Sequence, residues 1–314
     1  MIFVKGCFIM DIQFLLWFQK IREVLGPGVE ILVSGVSMLS TVAVFVLFLV
    51  YWCLDRKTGR FGLLCFSVGQ FLNQTCKAVF CIPRPWIRNT DIHPSPQAIE
   101  SASGYSFPSG HSQTAMSSYG ALSVKGTTSR WIRVILLVCI LLVGLSRNYL
   151  GVHTPQDVLA GFGMGVLSIV AVIYMSHHSS FFTGGKAAAA GLCLVGAMTV
   201  FVLLKQYPGS VEQAVLMKED AMKAYGFMAG TIVSAYYMQT NSFTTDHLSI
   251  KQRIRRALIG SVMIAPVYFG GDVLLAVFLP MEAALWICTF ASAVTGILLV
   301  PYVFDKVEKR TIEN

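Results

Sequence analysis

The chain has 314 residues, of which 55% are hydrophobic and 13% charged, with a mean hydropathy of +0.65. Soluble domains carry about a quarter charged residues, so this composition excludes an ordinary water-soluble globule. The net charge of +8 would suit a nucleic-acid partner only if the cations formed a solvated patch. They collect instead at the ends of apolar runs, and no nucleic acid is expected.

The predicted elements begin with an amphipathic helix over residues 10–25, where Phe14, Leu15, Trp17 and Phe18 interleave with Gln19, Lys20, Arg22 and Glu23. It reads as a helix lying in the membrane interface, within an N-terminal segment 1–28. A tenth membrane crossing is the alternative, and it would reverse the side of the N-terminus. Gly26-Pro27-Gly28 breaks the helix afterwards.

Nine spans of roughly 20 residues follow over 29–53, 61–81, 109–125, 131–150, 155–177, 187–206, 222–240, 255–279 and 281–303. The third is the weakest by hydropathy, because Ser112, Gln113, Ser117 and Ser118 dilute it. The fold expected is all-α, a polytopic transmembrane helical bundle. A core of five spans over 29–180 carries the chemistry, and residues 181–314 add four C-terminal spans and a tail. Most of the 24 Lys and Arg fall on one side of this layout, among them Arg56, Lys57, Arg60, Arg130, Arg133 and the Lys251–Arg256 run. The positive-inside rule then gives an outward N-terminus, a cytoplasmic C-terminus and an extracytoplasmic 83–107 connector. Without a glycosylation acceptor outside the spans (Asn73-Gln74-Thr75 lies within the second), the setting reads as a prokaryotic plasma membrane. The eight cysteines show no metal or disulfide spacing.

Three polar clusters stand where spans meet connectors. Lys77 and Arg84, two helical turns apart, sit at the outer end of the second span, and Pro83 and Pro85 bend the chain so that Arg84 can turn inward. Pro108-Ser109-Gly110-His111 opens the third span. Ser109 is a natural N-cap, Gly110 lets an anion approach the backbone, and His111 can give a proton to a departing oxygen. Arg147 ends the fourth span. Thr154, Pro155 and Asp157 then form a helix start resembling a capping box, with His153 directly before the cap. Asp157 can hold one nitrogen of His153 and leave the other free as a nucleophile. Parity brings the four helix ends to one membrane face, and three cations there can hold the oxygens of a phosphoryl group. The 83–107 connector, with Trp86, Ile87, Tyr105 and Phe107, suits headgroup depth, where a lipid can enter from the side. Asp272, after Gly270-Gly271 in the eighth span, either lines the cavity or bonds to a neighbouring span.

Lys77-(six residues)-Arg84-Pro85, Pro108-Ser109-Gly110-His111 and Ser146-Arg147-(five residues)-His153-(three residues)-Asp157 together resemble the three-part signature of the type 2 phosphatidic acid phosphatase superfamily. The likeness covers about residues 61–177. It implies a phosphohistidine on His153, His111 as general acid, phosphate held by Lys77, Arg84, Ser109, Gly110 and Arg147, and no metal or other cofactor. The number of spans is similar to the glucose-6-phosphatase and sphingoid-phosphate phosphatase branch. The activity expected is hydrolysis of a lipid phosphate or lipid diphosphate at the bilayer. A sugar phosphate is the alternative substrate, and a non-catalytic lipid-phosphate binding or transport protein is a further one.

Overall fold

The computed structural model describes residues 2–99, 101–125, 128–177, 185–238 and 243–313, which are mostly helical, with no strand among them. Helix α1 (Ile2–Ser37) contains a kink at Gly26, whose backbone leaves the helical region (φ 74°, ψ 177°), and Pro27 restarts the helix. Pro suits a first helical turn because its missing N–H has no partner there. After a one-residue break at Met38, α2 (Leu39–Leu49) runs into a π-helical turn at Val50–Leu54. Then come α3 (Arg56–Phe80), the short α4 (Pro85–Arg88) and α5 (Pro96–Ile99), and α6 (Gly110–Ala115), which continues through a π-helical turn into α7 (Ala121–Val124). Long helices follow: α8 (Arg130–Tyr149), α9 (Pro155–His177), α10 (Gly185–Leu204), α11 (Val211–Tyr237) and α12 (Ile250–Phe269). The chain closes with α13 (Gly271–Leu275), α14 (Met281–Val294), a π-helical turn and α15 (Val300–Glu313).

Among the described residues six helical stretches are long and apolar enough to cross a membrane: Asp11–Leu54, Arg130–Tyr149, Pro155–His177, Gly185–Leu204, Ile250–Leu275 and Met281–Val307. This is a multi-pass membrane protein. The spans expected over 61–81, 109–125 and 222–240 fall on α3, α6–α7 and α11, which are helical but more polar. The first two keep Asn73, Gln74, Lys77, Ser112, Gln113, Ser117 and Ser118 away from solvent, so their polar groups face protein and not lipid.

Two compact units make up the chain. The first comprises Met1–Ala43, Leu72–Ile169 and Gln206–Met217. Here α9 lies directly on the start of α6, because Gly161 has no side chain: a Cβ there would come within 2.5 Å of the Ser109 carbonyl oxygen. One turn on, Gly165 gives the same clearance to Met116. Helix α8 turns Val143, Gly144 and Arg147 inward, while Trp131, Ile135, Val138, Leu142 and Leu145 stay exposed, as a lipid-facing stripe requires.

The second unit comprises Val44–Phe71, Val170–Lys205 and Lys218–Asn314. Its π-helical turns are tied together: Tyr51 donates to the Ile297 carbonyl at 3.0 Å and Trp52 Nε1 to that of Gly296 at 2.8 Å. Arg256, buried, donates to the Thr244 and Trp52 carbonyls and lies over the Phe243 and Phe304 rings.

Candidate active site

The first unit gathers the three clusters. Helix α3 ends just past Lys77, which is buried; the chain leaves at Cys81, whose N–H still reaches the Lys77 carbonyl at 3.0 Å. Arg84 then caps α4, with Pro85 at its first position. The Arg84 guanidinium donates from Nε to the Gly104 carbonyl at 3.2 Å, from Nη1 to that of Val152 at 3.2 Å and from Nη2 to that of Ser103 at 2.5 Å. It is locked in one orientation, and Nη1 also lies 2.9 Å from His153 Nε2.

That contact assigns the imidazole tautomer. A guanidinium only donates, so Nε2 carries the lone pair and the ring proton sits on Nδ1. Nδ1 faces Asp157 Oδ2 at 3.6 Å. Burial, followed by the Arg84 charge, pushes the His153 imidazole down to about 3, so the ring is neutral at physiological pH.

The backbone around His153 is equally fixed. After Arg147 the chain turns at Leu150 and Gly151, the latter at φ +74°, where a Cβ would also press on Pro94. The N–H groups of Val152 and His153 both return to the Arg147 carbonyl, at 3.2 and 3.3 Å. Asn148 Nδ2 donates to the His153 carbonyl at 2.9 Å. At the start of α9 the Thr154 N–H donates to Asp157 Oδ2 at 2.8 Å, and the Asp157 N–H donates to Thr154 Oγ1 at 3.3 Å, the reciprocal pair of a capping box. The Asp157 carbonyl accepts from the Ser109 N–H at 2.9 Å, so the starts of α6 and α9 are stitched together.

Ser109 caps α6. Its Oγ accepts from the Ser112 N–H at 3.4 Å and from Ser112 Oγ at 3.0 Å, which leaves its own proton to give. A Cβ at Gly110 would meet only Asn73 Oδ1, at an ordinary 3.6 Å; glycine there keeps open space beside the chain. His111 Nε2 is buried with no partner.

Arg147 is the most telling cation. It is 1% exposed, and its hydrogen bonds go to hydroxyls: Nη1 to Ser37 Oγ at 2.7 Å, Nη1 and Nη2 to Ser101 Oγ at 3.2 and 3.3 Å. Among the described residues no carboxylate pairs with it. A buried guanidinium held only by neutral groups is costly, and a bound anion would relieve that cost.

Several contributors escape sequence reasoning. Ser106, fully buried, donates to Asp157 Oδ2 at 2.7 Å. Ser37, Ser101, Asn148 and Asn73 join it. Asn73 belongs to the formal glycosylation string, yet it is buried and donates to the Pro108 carbonyl at 3.4 Å. No local pattern marks any of these residues. Asp272 belongs to the second unit, partly buried near the start of α13, where its Oδ1 accepts from the Val273 N–H at 2.9 Å. Among the described residues no three His, Cys, Asp or Glu side chains converge as metal ligands.

Comparison with known proteins gives this geometry a context. Residues 61–181 match the PAP2 superfamily. The chain is 36% identical over 122 residues to phosphatidylglycerophosphatase B of Bacillus subtilis, covering 36% of this chain and 56% of that protein. It is 32% identical over 110 residues to undecaprenyl-diphosphatase of Sulfolobus acidocaldarius, covering 35% of this chain and 51% of that one. A dihydrosphingosine 1-phosphate phosphatase of Schizosaccharomyces pombe is 23% identical over 235 residues, or 70% of this chain and 56% of the relative. The chain thus spans little more than half the length of these relatives. No solved structure matches it.

Proposed function

Starting from the PAP2 superfamily domain that residues 61–181 carry, we propose that the protein is a membrane-embedded phosphatase acting on a lipid phosphate or lipid diphosphate through a phosphohistidine. The observation that carries this reading is the line Arg84–His153–Asp157, with contacts of 2.9 and 3.6 Å, beside the carboxylate-free Arg147. A neutral imidazole with its proton turned to a carboxylate is a nucleophile, and buried guanidinium groups are its anion receptor.

Substrate phosphate enters and accepts the Arg84 hydrogen bond that otherwise covers the Nε2 lone pair. Lys77, Arg84 and Arg147 neutralise its oxygens, with the Ser109 hydroxyl and the chain at Gly110 beside them. His153 Nε2 attacks phosphorus, the bond to the leaving oxygen breaks, and His111 gives that oxygen its proton. Asp157 stabilises the cationic ring. Water, giving its proton to His111, then attacks phosphorus; the N–P bond breaks and inorganic phosphate departs. The stabilisation of transferred phosphoryl oxygens comes from the three side-chain cations, so the chemistry is metal-independent.

If α3, α6–α7 and α11 are counted as polar interior crossings, the layout has nine spans with the site on the extracytoplasmic side of a prokaryotic plasma membrane. The cation distribution supports that orientation.

Phosphate release from a panel of lipid phosphates, lipid diphosphates and sugar phosphates in defined detergent tests the reading. We expect turnover of a lipid substrate that orthovanadate blocks and EDTA leaves intact, and that His153→Ala abolishes while lipid binding persists. Exclusive turnover of sugar phosphates would replace the lipid assignment. Binding without turnover on the whole panel would leave a lipid-phosphate binding protein.

A further inference from the structure

Five N–H donors project from Arg147, and their partners can be counted. Nη1 gives one proton to Ser37 Oγ at 2.7 Å and one to Ser101 Oγ at 3.2 Å; Nη2 gives one to Ser101 Oγ at 3.3 Å. Nε has no partner although it is buried. What remains is Nε–H together with the second Nη2 proton. These two are parallel and form the side-on fork that matches two oxygens of a phosphate. The two serines therefore occupy the edge of the guanidinium that the ligand does not need.

Ser37 makes the shortest of these contacts, and it lies at the last position of α1, well before residue 61 where the family match begins. Its place is fixed from both directions. The helix is interrupted at Met38, immediately after it, and Ser40 Oγ donates to the Ser37 carbonyl at 2.9 Å. Upstream, α1 is fastened to the turn that carries His153. Arg22 Nη1 donates to the Tyr149 carbonyl at 3.0 Å, Nη2 to that of His93, and Nε faces Glu30 Oε2 at 3.7 Å. Gln19 Oε1 accepts from the His93 N–H at 2.8 Å, and Ser95 Oγ donates to Glu30. Apolar packing follows the same line, with Phe18, Ile21, Val29 and Val33 against Tyr149, Leu150 and Val152.

We propose that Ser37 is a positioning residue of the active site, supplied by the helix that precedes the family segment, which with Ser101 holds one edge of Arg147 and aims its Nε/Nη2 fork at the substrate phosphate. The inference rests on the phosphate reading above. It extends the working site beyond the signature clusters to α1.

The test uses the full-length protein in detergent, with orthovanadate binding measured by calorimetry alongside lipid-phosphate turnover. Ser37→Ala should weaken vanadate about three- to tenfold, the effect of one lost hydrogen bond, and Ser37→Thr should recover most of it. In an Arg147→Lys background, which has no fork to aim, Ser37→Ala should change vanadate binding by less than about twofold. Ser34→Ala, one turn earlier on α1, should behave as the unsubstituted protein. An equal loss in both backgrounds, or with Ser34→Ala, would make the effect a general loosening of α1 and overturn the proposal; so would wild-type affinity in Ser37→Ala. If Ser37→Ala is not recovered folded, Ser101→Ala tests the same edge, and an undiminished affinity there also overturns it. Failure of the wild-type protein to bind vanadate or release phosphate would instead remove the phosphate reading itself, and this inference with it.

Discussion

Arg84 Nη1 stands 2.9 Å from His153 Nε2, so a cation rests on the lone pair that the proposed mechanism sends to phosphorus. The same guanidinium is braced by the carbonyls of Ser103, Gly104 and Val152. In the proposed mechanism Arg84 therefore has two roles that pull in opposite directions: it holds substrate oxygens and it shields the nucleophile. Arg84→Gln should lower turnover about 100-fold or more, as loss of a transition-state charge contact does. It should also speed the modification of His153 by diethyl pyrocarbonate, which acylates an imidazole nitrogen whose lone pair is free. Peptide mapping of the modified histidine would check this, and a parallel fall in both rates would contradict the shielding role.

His153 should stay neutral far into acid. Its ring is held at about 3 by burial and by Arg84, whereas an unperturbed imidazole titrates near 6.5. A lowered value means that the uncharged form persists as pH falls, and protonation comes only near that lower value. In NMR spectra of histidine-labelled protein, the His153 ring signals should stay fixed from about pH 8 to about pH 5. A titration midpoint near 6.5 would sink the assignment.

Ser106 acts through Asp157, which gives its loss a distinct signature under the proposed mechanism. Its hydroxyl donates at 2.7 Å to the same Oδ2 that faces His153 Nδ1. Ser106→Ala should reduce kcat about three- to tenfold and leave vanadate affinity unchanged, with Ser106→Thr recovering activity. Equal weakening of vanadate binding would show that the substitution had disturbed the whole pocket.

Arg147 should be a stability liability kept for function. It is buried with hydroxyl partners alone; even buried ion pairs, whose charges compensate each other, can be replaced by apolar side chains of similar volume at no cost or with a gain of about 1 to 4 kcal/mol. Arg147→Met should raise the thermal unfolding midpoint measured without ligand and abolish the further rise that vanadate produces in the parent. A lower midpoint in the variant would mean that the guanidinium is compensated in the fold.

How far the sequence reaches can be judged from particular residues. Apolar runs announce helices such as α8, α9 and α10, because a helix in lipid must be apolar over its whole length. Helices such as α3 and α6 lack that mark: Asn73, Gln113 and Ser117, buried in the protein, lower their hydropathy. Gly26-Pro27 marks the kink in α1 correctly, since backbone freedom and a missing N–H are local properties. The break at Met38 carries no such mark.

Lys77, Arg84, His111, Arg147, His153 and Asp157 are legible in the chain because each stands at a helix end within a few residues of a proline, glycine or capping residue. That much is local chemistry, decided over one or two helical turns. Only the tertiary structure decides which nitrogen of His153 faces Arg84, that Ser106 grips Asp157 from 51 residues away, and that Ser37 grips Arg147 across 110. Hydroxyl contacts of that kind follow from helix packing, where Gly161 lets α9 lie on Ser109, and packing distance leaves no periodic trace in sequence.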